Sequence, residues 1–267
     1  MQRIIEALEA RIAPAAVFTY TEADGDKVTI KTTAKISNAD FLGYMDSNAE
    51  FVDGDLDALE LNSSIFRGTS LTISVQKAGG GDGMASIGTI YSPYDLKSVT
   101  IKGNLGAIQV GDGNFSTPGI AKLTVNDLGG SGTDSYFAGA GSIQIEGDLK
   151  SAIYTEGGSI NSIKIAGTIG EDGFIQGNRI KSITVGGDVE GRIGAYEINS
   201  VLVKGDLLGN GSDDSGRIEA NSINKIRVGG IIGAGGTQSG SISGAHIGTV
   251  TVDRSVEGGS GNSSGTI

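Results

Sequence analysis

The chain has 267 residues, of which 46 are glycine, and it contains neither cysteine nor tryptophan. Glycine at this level without a three-residue period excludes collagen, and the lack of cysteine excludes disulfides and thiolate metal sites. The 20 basic and 31 acidic residues give a net charge of −11, which opposes binding to nucleic acid or to an anionic membrane, and no apolar run approaches the roughly 18 residues of a membrane span.

The first 14 residues predict a short amphipathic helix. Its aliphatic side chains fall on one face at helical spacing, and Pro14 ends the segment. These side chains are Ile4, Ile5, Leu8 and Ile12. Because Glu6, Glu9 and Arg11 interrupt the apolar positions, we expect no standard secretory signal here.

Residues 15–66 predict a β-hairpin followed by a connecting region. The hairpin covers residues 17–32, and its turn carries Asp24-Gly25, a strong turn dipeptide. The stretch from Glu22 to Lys27 has acidic spacing like that of a calcium loop but lacks the distal bidentate glutamate, so a turn is favoured. Residues 33–66 show no pattern that assigns an element.

From residue 67 to residue 267 the chain is organised by one repeat. A decamer of the form I-x-S-I-x-V-x-G-D-L recurs, for example "IKSITVGGDV" from Ile180, and its apolar positions alternate as in a strand with one buried face. An irregular first copy begins at Ser70. The second apolar position recurs every 18 to 25 residues, at Val99, Leu123, Ile143, Ile163, Ile183, Val201, Ile226 and Val250.

This repeat length, with glycine-rich corners, predicts an all-β fold: a right-handed parallel β-helix of about eight to ten coils. Each coil buries about five aliphatic side chains at about 2 kcal/mol each. Ordering a residue costs about 1.5 kcal/mol of conformational entropy. One coil alone therefore does not fold, and the stacking of neighbouring coils must supply the remaining stability.

Insertions interrupt the repeat after the G-D-L corner, beginning at Gly111, Gly129, Leu208 and Gly233. We expect all four to leave the coil at the same place and to line one edge, where repeat proteins carry function. A corner also tolerates insertion at little cost, which is the alternative interpretation.

The end of the chain falls partway round a coil. The repeat register places Ile267 in the column of Ile218, which predicts an uncovered end with unpaired backbone groups.

Several aspartates are candidate calcium ligands. The corner position of the repeat carries aspartate in three copies, although aspartate after glycine is also an ordinary turn residue. The segment "GGSGTDSYF" fits the calcium-binding nonapeptide of toxin repeats, but it occurs once where that motif works in tandem copies. The insertion "LGNGSDDSG" adds two more carboxylates. The six candidates are Asp134, Asp148, Asp188, Asp206, Asp213 and Asp214.

An enzyme is the functional class to weigh against these options, because many β-helices cleave polysaccharides. Such clefts need a clustered base, an acid pair and aromatic sugar platforms. Tryptophan is absent, and the repeats show no dense cluster of carboxylates with arginines. We therefore predict no enzymatic activity and no catalytic residue.

Three blocks of the sequence resemble a family of uncharacterised β-helix surface proteins of Verrucomicrobia and Planctomycetes. They are "LEARIAPA" at residues 8–15, "FTYTEADGDKVTI" at residues 18–30 and the coils that contain "SITVGGDV". The resemblance spans nearly the whole chain and implies envelope or extracellular placement. It supplies no activity and no catalytic residue.

Taken together, these patterns lead us to expect a non-enzymatic structural protein. Its copies would associate head to tail into an extracellular fibre or a cell-surface layer. The alternative is a β-helix that binds or cleaves carbohydrate, such as a cell-surface polysaccharide, through loops on one edge. The expected assembly residues are Ile4, Ile5, Leu8, Ile12 and Ile267.

Overall fold

The computed structural model describes residues 15–155 and 157–267. They form stacked parallel coils, so the predicted all-β parallel β-helix is confirmed, with about eight turns. The predicted helix of residues 1–14, including Ile4, Ile5, Leu8 and Ile12, lies outside the described residues. Within the described ranges, no helix is both long and apolar enough to cross a membrane.

The elements follow in chain order. The first are β1 (Ala16–Thr21), β2 (Lys27–Thr32), α1 (Asn38–Asn48), β3 (Ala49–Val52), β4 (Asp55–Glu60), a 3₁₀ turn (Ser64–Phe66), β5 (Ser70–Gln76), β6 (Ala85–Ser92), β7 (Leu96–Ile101), β8 (Gly103–Val110) and β9 (Ile120–Val125). The later ones are β10 (Ser135–Phe137), β11 (Ala140–Ile145), β12 (Ala152–Thr155), β13 (Ser159–Ile165), β14 (Phe174–Val185), β15 (Arg192–Val203), β16 (Leu207–Leu208), β17 (Arg217–Val228), β18 (Ile231–Ile232), β19 (Ser241–Val252) and β20 (Val256–Glu257).

Each coil has three sides, and the decamer repeat builds one of them. This repeat face stacks β5, β7, β9, β11 and β13, followed by the second halves of β14, β15, β17 and β19. The apolar column deduced from the sequence pairs residue to residue in parallel strands from Val99 to Val250. Leu71 pairs with Val99, which confirms that the first coil of this face begins at Ser70.

The other two sides differ in length. A short side follows the G-D-L corner, where single residues bridge from coil to coil, from Leu105 to Val256. The third side, which we call the aromatic face, stacks β4, β6, β8, β10 and β12, followed by the first halves of β14, β15, β17 and β19. In the later coils one long strand therefore supplies both the aromatic face and the repeat face.

The coil of residues 174–189 shows how the core is filled. It buries five aliphatic side chains, as the repeat predicted: Ile175, Ile180, Ile183, Val185 and Val189. Neighbouring coils lie about 4.8 Å apart, and this spacing explains the corner glycines. A Cβ at the corner glycine Gly205 would lie 2.5 Å from the carbonyl carbon and oxygen of Gly187, the corner glycine of the preceding coil, so only glycine fits there.

A small cap covers the N-terminal end of the solenoid. The predicted hairpin is confirmed as β1 and β2, and β2 continues antiparallel onto β5, with Ile30 opposite Ile73. Residues 33–66, which the sequence left unassigned, contain α1, whose Ser37 cap accepts a hydrogen bond from the Asp40 N–H at 3.1 Å. Parallel stacking begins at β4, which pairs with β6 before the predicted boundary at residue 67.

Candidate ligand-binding groove

The aromatic face carries a row of adjoining cavities that together make a groove. Three cavities of 410, 580 and 580 Å³ lie along it. The first two share Tyr136, and the last two share Gln176 and Gly177, so they adjoin one another, and we call the row of three the groove. It runs from Tyr91 in β6 to Ser243 in β19, across eight stacked strands. At about 4.8 Å per strand its length is about 34 Å.

Small residues make the groove concave where the aromatic face bends into the repeat face. Gly177, Ala195, Ala220 and Gly244 occupy one register column in successive coils. This column points into the core, because a Cβ at Gly177 would contact the Ile180 side chain and one at Gly244 the Ile247 side chain. Small residues here let the backbone lie close to the core, so the surface is drawn inward at the bend. At Gly177 even a Cβ would lie only 3.0 Å from the Thr155 hydroxyl.

Aromatic rings stack along the middle of the groove. Tyr136 and Tyr154 are paired in register, and their ring centroids lie 5.2 Å apart with an interplanar angle of 18°. Phe174 follows in the next coil, 5.7 Å from Tyr154 and nearly perpendicular to it. Burial raises the pKa of Tyr154, with smaller contributions from Asp134 and Tyr136. The Tyr154 hydroxyl therefore stays neutral and able to donate a hydrogen bond at physiological pH.

Three further rings at the groove are exposed to solvent: Tyr91, Phe115 and Tyr196. Tyr196 is the most exposed of the three, at 61%. Phe115 comes from the insertion that begins at Gly111. Exposed aromatic side chains that line a depression are typical of binding surfaces, because they offer large contact area with little loss of conformational freedom.

The C-terminal part of the groove contains an ion-pair cluster. Arg192 and Arg217 stack in adjacent coils, and each pairs with both Asp214 and Glu219; the Arg217 Nη2 to Glu219 Oε2 distance is 2.6 Å. The Arg192 guanidinium also lies over the Phe174 ring, 5.2 Å from its centroid. Burial lowers the pKa of Arg192, and Asp214 opposes this effect.

This cluster overturns the sequence expectation that the repeats hold no dense group of carboxylates with arginines. Arg192 and Arg217 are separated by 25 residues in the sequence and become neighbours only when the coils stack. The signal that could have found them is the matching "GRIGAYEI" and "GRIEANSI" segments, which place the two arginines in the same column.

The four insertions do not all leave the coil at the same place, so that expectation was wrong. The insertions at Gly129, Leu208 and Gly233 lead into the aromatic face, whereas the one at Gly111 follows it and leads into β9. Insertions therefore flank the aromatic face on both sides. They supply Phe115 to the lining of the groove and Asp214 to the ion-pair cluster at its other end.

The predicted corner aspartates connect one coil to the next. Asp148 Oδ1 accepts the Thr168 N–H at 2.8 Å, and Asp188 Oδ1 accepts the Asp206 N–H at 2.7 Å. The Asp206 carboxylate pairs with Arg254. The same contact, in which a side-chain oxygen accepts the backbone N–H of the following corner, recurs at Asn104 and Asp127 because the coils are in register.

The remaining predicted ligands lie in the insertions. Asp134 accepts the Ala152 N–H at 3.0 Å, Asp213 accepts the Thr237 N–H at 2.7 Å, and Asp214 belongs to the arginine cluster. The six aspartates are therefore distributed between the corner and the loops. Ile267, the one predicted assembly residue within the described ranges, is exposed and continues the column of Ile218, because Thr266 pairs with Ser241.

The carboxylates of Asp24, Asp26 and Asp82 have oxygens within 4.8 Å of one another. Asp26 is fully buried and accepts the Ala78 N–H at 2.5 Å and the Gly83 N–H at 2.6 Å. These bonds fasten the hairpin tip to the loop before β6, which agrees with the turn interpretation of this stretch. Sequence reasoning missed Asp82 because more than 50 residues separate it from the hairpin.

Glu22 provides a second link between the hairpin and the first coils. It is 5% exposed, and its Oε1 accepts the Ser86 N–H of β6 at 2.8 Å. Burial raises the pKa of Glu22 to about 7, and the charges of Asp55, Asp24 and Asp26 add to the rise.

The fold and the groove together define a parallel β-solenoid with an aromatic groove along one side. A scan against protein-family models, a search of curated proteins and a search of solved structures each found no match to the chain.

Proposed function

We propose that the protein is a non-enzymatic binding solenoid that holds a carbohydrate chain in the groove of its aromatic face. The observation that carries this proposal is the combination of length and lining. In one register column of the groove, the amides of Gln109 and Gln176 lie on either side of the stacked pair Tyr136 and Tyr154. Sugars present apolar C–H surfaces to rings and hydroxyls to amides, so both features match one ligand class.

The charged residues of the groove support a binding role. Glu219 lines the groove and pairs with both Arg192 and Arg217, and Asp214 pairs with the same two arginines. Glycoside cleavage needs one carboxyl group free to donate a proton and a second one free to act as base or nucleophile. These carboxylates are instead occupied in holding two adjacent coils together.

A glycan array followed by affinity electrophoresis tests the proposal. We expect wild type to bind polysaccharide and Tyr154→Ala to weaken binding at least tenfold. Phe51→Ala is the matched control, because Phe51 is 39% exposed but lies on the N-terminal cap, packed against Phe18 and Tyr20. Equal affinity of wild type and Tyr154→Ala, or no glycan bound by wild type, would contradict the proposal.

Self-association into an extracellular fibre or surface layer is the second candidate. Ile247, Val250 and Val252 in the last coil are only half-buried, whereas Ile223 and Ile226, their neighbours in the preceding coil, are buried. Stacking of a second copy on this edge would complete their burial and pair the backbone groups. Electron microscopy is expected to show linear assemblies of uniform width. Dispersed monomers across pH and calcium conditions would remove this candidate.

A further inference from the structure

The groove carries little charge that is free to attract an ion. Of the described residues that line its three cavities, only Arg192 and Glu219 are charged, and they pair with each other. The chain as a whole has a net charge of −11. A polyanion approaching the groove would therefore meet long-range repulsion and find no unpaired guanidinium or ammonium group among these residues.

The uncharged polar lining suits hydroxyl groups instead. Gln109, Gln176 and Asn221 line successive parts of the groove. Each amide both donates and accepts hydrogen bonds, as a sugar hydroxyl does. Such neutral hydrogen bonds hold a ligand without a salt-dependent contribution to affinity.

The spacing of the lining groups indicates how the ligand lies. The ring centroids of Tyr136, Tyr154 and Phe174 follow one another at 5.2 and 5.7 Å, because three successive coils contribute one ring each. A pyranose linked through opposite ring carbons advances an extended chain by a similar length. A chain parallel to the solenoid axis would therefore place about one sugar against the lining groups of each coil.

We infer that the ligand is a neutral, extended polysaccharide that lies parallel to the solenoid axis, with about one sugar per coil. This inference rests on the proposed carbohydrate-binding function and specifies the chemical class and the orientation of its ligand. The groove crosses eight strands, so it accommodates about eight sugars at the coil spacing.

Titration calorimetry with wild type tests both parts of the inference. The probes are linear β-glucan with its oligosaccharides of increasing length, polygalacturonate as the polyanion and chitosan as the polycation. We expect β-glucan to bind with an affinity that is unchanged between low and high salt. Affinity for the oligosaccharides should rise at least tenfold from two to six sugars and level off near the length of the groove.

The outcomes separate this inference from the function on which it rests. Binding of polygalacturonate or chitosan that weakens with salt and is lost in Gln176→Ala would overturn the neutral ligand while leaving carbohydrate binding in place. Binding of β-glucan that does not depend on chain length would overturn the axial orientation. Failure of all three polymers to bind would overturn the proposed function itself. Phe51→Ala again serves as the control, and its titrations should match those of wild type.

Discussion

The repeat face and the aromatic face are built from the same stacked coils but carry different sequence patterns. On the repeat face, one decamer recurs and its inward column is aliphatic in every coil from Val99 to Val250. On the aromatic face, the residues of one paired column are Glu60, Tyr91, Gln109, Tyr136, Tyr154, Gln176, Gly194, Glu219 and Ser243. Parallel stacking constrains the inward residues alone, so outward residues can change from coil to coil without loss of register.

The largest expected effect is the loss of stability on mutation of the repeat face, which should exceed the loss on mutation of the aromatic face. Ile163→Ala on the repeat face should lower the free energy of unfolding by about 2 to 5 kcal/mol, because Ile163 is buried between Ile143 and Ile183 and leaves a cavity. Tyr154→Ala on the aromatic face should cost about 1 kcal/mol, because its ring is partly exposed. Urea unfolding followed by circular dichroism measures both.

Ile163→Val is the control for this pair, with an expected loss of about 0.5 to 1.5 kcal/mol. If Tyr154→Ala destabilised the protein as much as Ile163→Ala, the aromatic face would be part of the stabilising core, and the division of roles between the faces would fail.

A pH-dependent effect should appear where the cap joins the aromatic face. Folding raises the pKa of Glu22 from 4.5 to about 7, so the folded state holds this proton more tightly than the unfolded chain. The resulting stability is present below pH 4.5 and is lost as the pH rises to about 7. Glu22→Gln keeps the acceptor for the Ser86 N–H but cannot ionise. At pH 8 it should therefore be more stable than wild type by about 3 kcal/mol.

Thermal unfolding of both proteins across pH 4 to 8 measures this difference. Below pH 4.5 the melting temperatures of Glu22→Gln and wild type should coincide, so this pH range serves as the internal control. A constant gap between Glu22→Gln and wild type over the whole range would show that Glu22 does not titrate with a raised pKa.

The smallest effect is expected at the corner that ends the repeat face. Asp188→Asn keeps an oxygen that accepts the Asp206 N–H, so its stability should lie within about 0.5 kcal/mol of wild type. Asp188→Ala removes the acceptor and should cost about 1 kcal/mol. Melting temperatures with and without a calcium chelator measure both effects. If Asp188→Asn abolished a calcium-dependent rise in melting temperature, the corner aspartates would be metal ligands and not only coil-to-coil acceptors.

Local pattern was sufficient to predict the repeat face and the hairpin. The alternation of apolar residues placed each strand of the repeat face, and Asp24-Gly25 marked the turn between β1 and β2. The cap was harder to predict because α1 has a single buried pair, Phe41 and Met45, which is too short a pattern to stand out.

The groove could not be read from the sequence because its residues share no motif. Tyr136 and Tyr154 belong to different coils, and the repeat consensus does not include either position. Arg192 and Glu219 likewise come from consecutive coils, separated by more than 20 residues. For the tyrosines, only the register of the stacked strands shows that the side chains meet. For the charged residues, the matching segments "GRIGAYEI" and "GRIEANSI" are the one signal in the sequence.

By itself the sequence determined the coil. Each strand must bury alternate aliphatic residues, and this strict period of two produces a repeat that is visible in the sequence. The tertiary structure decided which outward residues become neighbours, since that depends on the number of residues in each coil. Changes of a few residues in the insertions set that number without altering the consensus. The repeat "IKSITVGGDV" therefore predicted the scaffold, and the groove beside it emerged only when the coils were stacked in register.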